Sequence, residues 1–398
     1  MRLTVLDGFR GFFLVFMMVH HLNAFLGTTL GKLNHHRIGF VEDAQGFVFI
    51  SGLVVGLVYG KGFLRKGASV MQHRVFARMR TIYSHQIGLA LILLTAAFLL
   101  AALGVRTDFL DPYLNEPILL PLTTALLVSA SMHMGILAMY IWFMAVTPFV
   151  LRAFRAGHIP EVMIGSALLW VIAQSGVGGH LIGGLNDFAA ARGHDLHFGI
   201  YFDLFGWQVL FFGGLLFGWL LANDALDLSW LKARRWETVA VMVFAAFVLF
   251  AVLDRAAPPD ASASAFAADI WSTTNRERFT WAYLANFAVD LYLVVWLLTA
   301  GPSHRLAPIR ILAAVGWRIF TWRPLVFLGQ HSLHVFSWHI LAVYAMGVLV
   351  DVVQPGSLAR VGLLLLGVAS LYIPASFHQW QVEREKSRQE PAASPSRG

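Results

Sequence analysis

The sequence has no cysteine and carries little charge. Only 13% of its 398 residues are charged, whereas 58% are hydrophobic. The absence of cysteine excludes disulfides, thiolate metal ligands and an acyl-cysteine intermediate. Soluble domains carry about 25% charged residues, so this composition excludes an ordinary soluble enzyme. The apolar content also excludes a disordered chain, and we therefore expect a membrane protein.

Long apolar runs occupy most of the chain. A membrane-spanning helix needs about 20 mostly apolar residues. The segments that qualify are ten in number: 8–26, 43–60, 81–104, 133–151, 161–178, 200–222, 237–254, 281–300, 324–350 and 359–378. A shorter apolar piece at 117–131 is expected to be interfacial or re-entrant. Because the runs are continuous rather than alternating, they predict an all-α integral membrane protein with about ten transmembrane helices.

Basic residues are distributed unevenly between alternate loops. If both termini lie in the cytoplasm, most Lys and Arg fall on the cytoplasmic side, notably in a basic loop at 61–80. The positive-inside rule therefore predicts cytoplasmic N- and C-termini. The same rule explains the net charge of +7, so this charge does not require nucleic acid as a partner. The first apolar run contains Arg10, His20 and His21, so we do not expect a cleavable signal peptide.

No linker or internal repeat divides the sequence. We predict a single transmembrane domain over 1–383, with a Pro/Ala/Ser-rich outer loop at 257–268. The remaining residues, 384–398, form a polar cytoplasmic tail that is expected to be disordered.

Ionisable residues inside the spans are the informative ones, because each costs about 2.5–3.5 kcal/mol on insertion scales. Arg10 and His21 are eleven residues apart in the first span. Helix geometry separates them by roughly 16 Å and places them within about 20° of one face. Arg10 is therefore expected at the cytoplasmic mouth and His21 near the midplane. A snorkelling arginine and a structural histidine would give the same pattern.

Two acidic residues, Glu42 and Asp43, begin the second span at its outer edge. They are candidates for orienting His21, although both would also be accommodated as solvated acids. Further along the same span, Ser51 is followed by Gly52, a pair that allows close approach of another helix.

A basic cluster leads into the third span, and its members are Arg74, Arg78 and Arg80. Guanidinium groups at a membrane mouth suit a polyphosphate, but plain topogenic charge is the alternative. His85 follows one turn into the membrane.

Polar residues also concentrate in the ninth span, at Gln330, His331, His334 and His339. These histidines do not share one narrow stripe of a helix, so their spacing does not favour a zinc site and no metal is expected. These histidines are expected either to make structural hydrogen bonds or to line a cavity.

Four motifs occur in the order found in the transmembrane acyltransferase (acyltransferase type 3) superfamily. They are Leu6-Asp7-Gly8-Phe9-Arg10-Gly11 with ten residues between Arg10 and His21, Phe47-Val48-Phe49-Ile50-Ser51-Gly52, Arg78-x-Arg80-x2-Tyr83, and Ser332-Leu333-x4-Trp338-His339. The version FVFISG, the ending Tyr83-x-His85 and the run LGQHSLHVFSWH most resemble the OpgC family, which succinylates osmoregulated periplasmic glucans. The resemblance extends from the first span to the last.

This resemblance implies an O-acyltransferase of the bacterial inner membrane. The implied donor is cytoplasmic succinyl-CoA or another acyl-CoA, the acceptor is a periplasmic glucan hydroxyl, and no cofactor is permanently bound. The catalytic histidine of the family corresponds to His21 and its first-span arginine to Arg10. His20 stands where the family pattern has an aspartate, which leaves the acid partner of His21 open between Glu42 and Asp43.

The expected mechanism uses His21 as a general base on a sugar hydroxyl that attacks the thioester directly. The expected substrate-binding residues are Arg10, His20, Ser51, Arg74, Arg78, Arg80, His85, Gln330, His331, His334 and His339. Among these, Ser51, His85, Gln330 and His331 are candidate donors to the developing oxyanion.

A transporter of a small anion or a proton-coupled substrate is the rival class, because intramembrane His and Arg also suit ion pathways. A different acyl group or acceptor is a further alternative. The sequence makes no prediction of oligomeric state.

Overall fold

The computed structural model describes residues 4–33, 35–131, 133–256 and 273–389. Within these ranges no strand forms, and an isolated bridge joins Ser129 to Gly199. The helices are, in chain order, α1 Thr4–Leu26, α2 Asp43–Lys66, α3 Ala68–Ala102, α4 Asp111–Asn115, α5 Leu119–Ala125, α6 Gly135–Arg155, α7 Ile159–Gln174, α8 Val177–Ala190, α9 Leu204–Ala222, α10 Arg234–Ala256, α11 Trp281–Ala300, α12 Ala307–Phe320, α13 Arg323–Gln330, α14 Ser332–Val353, α15 Ser357–Ser370 and α16 Tyr372–Gln389. The predicted all-α class is confirmed.

Nine helical segments of the described residues are long and apolar enough to cross a membrane. They are α1, α2, α3, α6, α9, α10, α11, α14 and the continuous run Ser357–Arg388 formed by α15 and α16. The number rises to as many as eleven if two bent pairs, α7 with α8 and α12 with α13, each count as one span. The prediction of about ten transmembrane helices is therefore confirmed.

The predicted basic loop at 61–80 is wrong. Helix α2 continues to Lys66 and α3 begins at Ala68, so Gly67 alone separates them. Gly67 has φ +83°, a left-handed conformation that glycine adopts without steric cost. The basic residues are helical because Lys and Arg are good helix formers. The predicted third span, 81–104, corresponds to the second part of α3, which is 35 residues long.

Other boundaries differ more modestly from the prediction. The predicted span 324–350 is interrupted at His331, where α13 ends and α14 begins. The piece predicted at 117–131 contains the short helix α5. The predicted tail begins inside α16, which continues to Gln389. Residues 257–268 and 390–398, predicted as an outer loop and as part of a disordered tail, lie outside the described residues.

The described residues pack into two compact units, although a single transmembrane domain was predicted over 1–383. The first unit contains the described residues of 4–32 and 319–389, and the second contains the described residues between 33 and 318. In the first unit, α1 packs against α13, α14 and α15. Glycines allow the close approach of α1 and α13: a Cβ at Gly11 would overlap the carbonyl of Leu325, and a Cβ at Gly329 would overlap that of Asp7.

In the second unit, the most extensive helix pair is α2 with α9. Gly52 and Gly56 on α2 face the α9 backbone, and Gly214 and Gly218 on α9 face the α2 backbone. This reciprocal arrangement of small residues four apart is typical of tightly packed membrane helices, where dispersion contacts rather than hydrophobic transfer hold the pair together. It sets the position of the N-terminal end of α2.

We predict that Gly56→Leu lowers the free energy of unfolding in detergent by about 1–3 kcal/mol, because the new side chain must displace backbone of α9. The matched control is Gly88→Leu on α3, where a Cβ would meet nothing within 4 Å. Thermal unfolding followed by fluorescence-detected size exclusion measures both variants. Equal stability of the two would contradict the close α2–α9 contact.

Candidate active site

Arg10 is held at the start of α14. Its Nη2 donates a hydrogen bond to Oγ of Ser332, the first residue of that helix. The carboxylate of Asp7, one turn earlier on α1, lies 3.9 Å from Arg10 Nη1. The guanidinium side chain is only 15% exposed, so its charge is compensated by this carboxylate rather than by full hydration.

His21 and His339 form a direct pair. Nδ1 of His21 lies 2.8 Å from Nε2 of His339, and the two rings are stacked with centroids 4.9 Å apart. His339 is fully buried, whereas His21 is half-buried. Two neutral imidazoles share such a contact by placing one N–H between the two nitrogens, so one ring donates and the other accepts. His339 is therefore a hydrogen-bonding partner of His21 that the sequence analysis did not pair with it.

The two contacts of α1 with α14 follow one another along both helices. Arg10 meets Ser332 and His21 meets His339, so residue numbers increase together. The helices therefore run in the same direction, as the first and ninth spans of the predicted topology require. His20 is adjacent, with its ring centroid 5.6 Å from that of His21.

A second histidine cluster lies at the start of α14. Nδ1 of His331 is 2.8 Å from Nδ1 of His378, and the His334 ring stacks on His378 at 3.8 Å between centroids. Gln330 is half-buried beside them, at the end of α13. The prediction omitted His378, although a histidine within an apolar segment was a visible signal.

The two acids predicted to orient His21 have partners within the second unit. Glu42 forms an ion pair with Arg276, whose Nη1 lies 3.0 Å from the carboxylate. Asp43 faces His35 at 3.1 Å and His36 at 2.6 Å. His35, His36 and Arg276 were all missed from the sequence, although two consecutive histidines before an acidic pair form a recognisable pattern.

Charge in this region is balanced by close pairing. Burial disfavours the charged form of His36, but its hydrogen bond to Asp43 and the nearby negative charge outweigh this and raise the pKa of His36 above its ordinary value. Burial likewise opposes the charge of Arg276, and the attraction of Glu42 raises the pKa of Arg276. Nε of Arg276 also donates to the hydroxyl of Tyr201 at 2.7 Å.

The remaining predicted residues lie on α2 and α3. Ser51 is buried in α2. Arg74 and Arg78 lie four residues apart on α3 and therefore share one helix face. Arg74 and Arg80 are exposed, while Arg78 and His85 are half-buried. Of the predicted site residues, the structure thus brings together His20, His21 and His339, whereas His331 and His334 meet His378 in a separate cluster of the first unit.

Comparison with known proteins identifies one relationship. A family model described as OpgC protein matches residues 2–383, nearly the whole chain. Neither a curated protein nor a solved structure matches.

We predict that Ser332→Ala destabilises the protein by about 1.5–3 kcal/mol, because the variant removes a hydrogen bond to a part-buried guanidinium. Ser337→Ala, also on α14, is the control: its hydroxyl donates to Leu333 O of the same helix, and its loss should cost less than about 1 kcal/mol. Chemical denaturation in detergent compares the two. A larger effect of Ser337→Ala would be inconsistent with the Arg10 contact.

Proposed function

Because the chain belongs to the OpgC family, we propose that it is a membrane O-acyltransferase that moves a succinyl group from cytoplasmic succinyl-CoA to hydroxyls of periplasmic glucans. The observation that carries this proposal is the hydrogen-bonded contact of His21, on the helix that also carries Arg10, with His339 of α14. A half-buried, hydrogen-bonded imidazole supplies the general base that a sugar hydroxyl needs, since an unperturbed hydroxyl is a poor nucleophile.

The direction of the hydrogen bond decides whether His21 can act as a base. If Nδ1–H of His21 donates to Nε2 of His339, the Nε2 lone pair of His21 remains available to accept a proton. His339 then has the orienting function that a carboxylate has in hydrolytic triads: it selects the tautomer of its neighbour and holds the ring. In this proposal neither Glu42 nor Asp43 is needed to orient His21.

The transfer then proceeds in one displacement. The sugar hydroxyl gives its proton to Nε2 of His21 while its oxygen bonds to the carbonyl carbon of the thioester. The C–S bond breaks, and the departing CoA thiolate takes up the proton from the imidazolium. The structure does not support Gln330 and His331 as donors to the oxyanion that develops in between, because His331 pairs with His378 at the start of α14, roughly 12 Å along the chain from His339.

The basic residues provide the phosphate contacts in this proposal. Arg74 and Arg78 lie on one face of α3, and a guanidinium pair at helical spacing can contact the oxygens of a polyphosphate. Arg10, on α1 of the first unit, is oriented by Asp7 and Ser332. The eleven residues from Arg10 to His21 span roughly 16 Å, a distance that an extended pantetheine arm can cover.

We predict that His21→Ala lowers kcat for succinyl transfer by about 10²–10⁴, the usual contribution of a general base. His339→Ala should lower kcat less, and His339→Gln should restore part of the loss because its amide oxygen can accept from Nδ1–H. Transfer from radiolabelled succinyl-CoA to purified glucan measures each variant, with the KM for succinyl-CoA expected to stay near that of the wild type. His158→Gln, an exposed histidine paired with Glu161, is the control.

Full activity of His21→Ala would overturn the assignment of the base. An equal loss in His339→Gln and His339→Ala would argue that His339 does not act through its hydrogen bond. Uptake of succinate into vesicles without any transfer would favour the rival transporter. Loss of the succinyl mass increment from the periplasmic glucans of a deletion strain, restored by the wild-type gene, would support the proposed acceptor.

We predict that Arg74→Gln combined with Arg78→Gln raises the KM for succinyl-CoA at least about tenfold, because phosphate contacts carry a large share of nucleotide affinity. With succinyl-pantetheine, which lacks the nucleotide, the double variant and the wild type should have the same KM. Arg192→Gln, an exposed arginine stacked on Phe188, is the control. An equal KM effect with both donors would contradict a phosphate-binding function.

A further inference from the structure

Two histidines and one aspartate converge in the second unit, at the N-terminal end of α2. His35 and His36 lie in the short 3₁₀ segment His35–Arg37, and Asp43 is the first residue of α2. Their potential ligand atoms all lie within 4.8 Å of one another. Both imidazoles direct Nε2 at the same carboxylate, His35 toward Oδ1 at 3.1 Å and His36 toward Oδ2 at 2.6 Å.

The three side chains are sheltered but retain access to solvent. Asp43 is 2% exposed, whereas His35 is 17% and His36 12% exposed. An ion bound here would therefore have three protein ligands in a largely desolvated position and a side open to water. That combination of three protein ligands and an exchangeable fourth position is common in zinc proteins.

The distances suit a small divalent ion. Zinc–nitrogen and zinc–oxygen bonds of about 2.0–2.2 Å place neighbouring ligand atoms roughly 3.3 Å apart in a tetrahedral site. The observed separation of 3.1 Å is close to this value, whereas the hydrogen-bonded separation of 2.6 Å would have to lengthen by roughly 0.7 Å to admit the ion, which side-chain rotation can supply. Two imidazoles and one carboxylate favour zinc and its transition-metal neighbours over calcium or magnesium, which prefer oxygen ligands.

The surrounding charges do not prevent binding. Among the side chains that the structure describes, Arg276 is the cation that acts on His36, and its guanidinium is already engaged by Glu42 at 3.0 Å and by the hydroxyl of Tyr201. The helix N-terminus itself disfavours a cation, but the Asp43 carboxylate offsets this partial positive charge. A metal would replace the proton through which His36 now hydrogen-bonds to Asp43, and it would also bind Nε2 of His35, which lies 3.1 Å from Oδ1 of Asp43.

We propose that His35, His36 and Asp43 form a binding site for a divalent transition-metal ion of the zinc class. The ion links the 3₁₀ segment to the first residue of α2 and thereby holds the chain between them in place. This proposal does not depend on the acyl transfer proposed above. It assigns Asp43 a ligand function rather than the function of an acid partner to His21.

The test uses the full-length protein purified in detergent without a polyhistidine tag and stripped with a chelator. Co²⁺ is the first probe, because four-coordinate Co²⁺ with nitrogen and oxygen ligands has visible d–d absorption bands. We expect these bands to saturate at one equivalent per chain and to disappear when Zn²⁺ is added. Elemental analysis after removal of free Zn²⁺ should then find one zinc per chain.

The variants are Asp43→Asn and His36→Gln, both similar in size to the native residues, with His158→Gln as the control because its exposed side chain lies outside the cluster. We expect Asp43→Asn and His36→Gln to weaken Co²⁺ binding by at least about tenfold and to lose the increase in Tm that Zn²⁺ gives the wild type. The control should bind like the wild type.

Two results would overturn the proposal. One is the absence of Co²⁺ bands and of stoichiometric zinc in the wild-type protein, a result that does not depend on the folding of any variant. The other is unchanged binding in a folded His36→Gln or Asp43→Asn variant, which would place the metal elsewhere. Succinyl transfer is measured in parallel, so that failure of the metal site and failure of the proposed function are distinguished.

Discussion

The contact between α1 and α14 is the interaction on which the candidate active site depends. It brings His21 within hydrogen-bonding distance of His339 and brings Arg10 to Ser332. Helix α13, which precedes α14 in the chain, also approaches α1 closely. This approach requires small residues, since a Cβ at Gly11 or Gly329 would overlap backbone of the other helix. Because these pairs join distant parts of the chain, helix packing and site geometry are established together.

Pairing is also what makes the ionisable residues compatible with an apolar environment. A charged side chain in a membrane protein is retained where a partner compensates its lost hydration. Arg10 has Asp7 and Ser332, Glu42 has Arg276, and Asp43 has two histidines. The same pairing is chemically useful, because an imidazole whose tautomer is selected by a neighbour can act as a base and converging imidazoles can bind a metal.

Comparison of prediction and structure separates local from tertiary information. The stripe containing Arg10 and His21 was predictable because helix rise and rotation depend on spacing alone. The number of spans was predictable from apolar length. The prediction of a basic loop at 61–80 was wrong, because charge indicates the side of the membrane on which a segment lies but not whether that segment is helical. His339 was predicted only as one of several substrate-binding residues, since the break at His331 and the rotation of α14 decide which histidine meets α1.

By itself the sequence determined the fold class, the approximate number of helices, the family and the types of residue available for chemistry. The fold class and the number of helices follow from composition and short-range periodicity, which act between neighbours along the chain, whereas the family follows from the resemblance of four ordered motifs. Only the tertiary structure decided that His21 pairs with His339, that His331 meets His378 and that Asp43 faces His35 and His36. An imidazole can hydrogen-bond to many partners, so its partner is selected by the packing and rotation of whole helices.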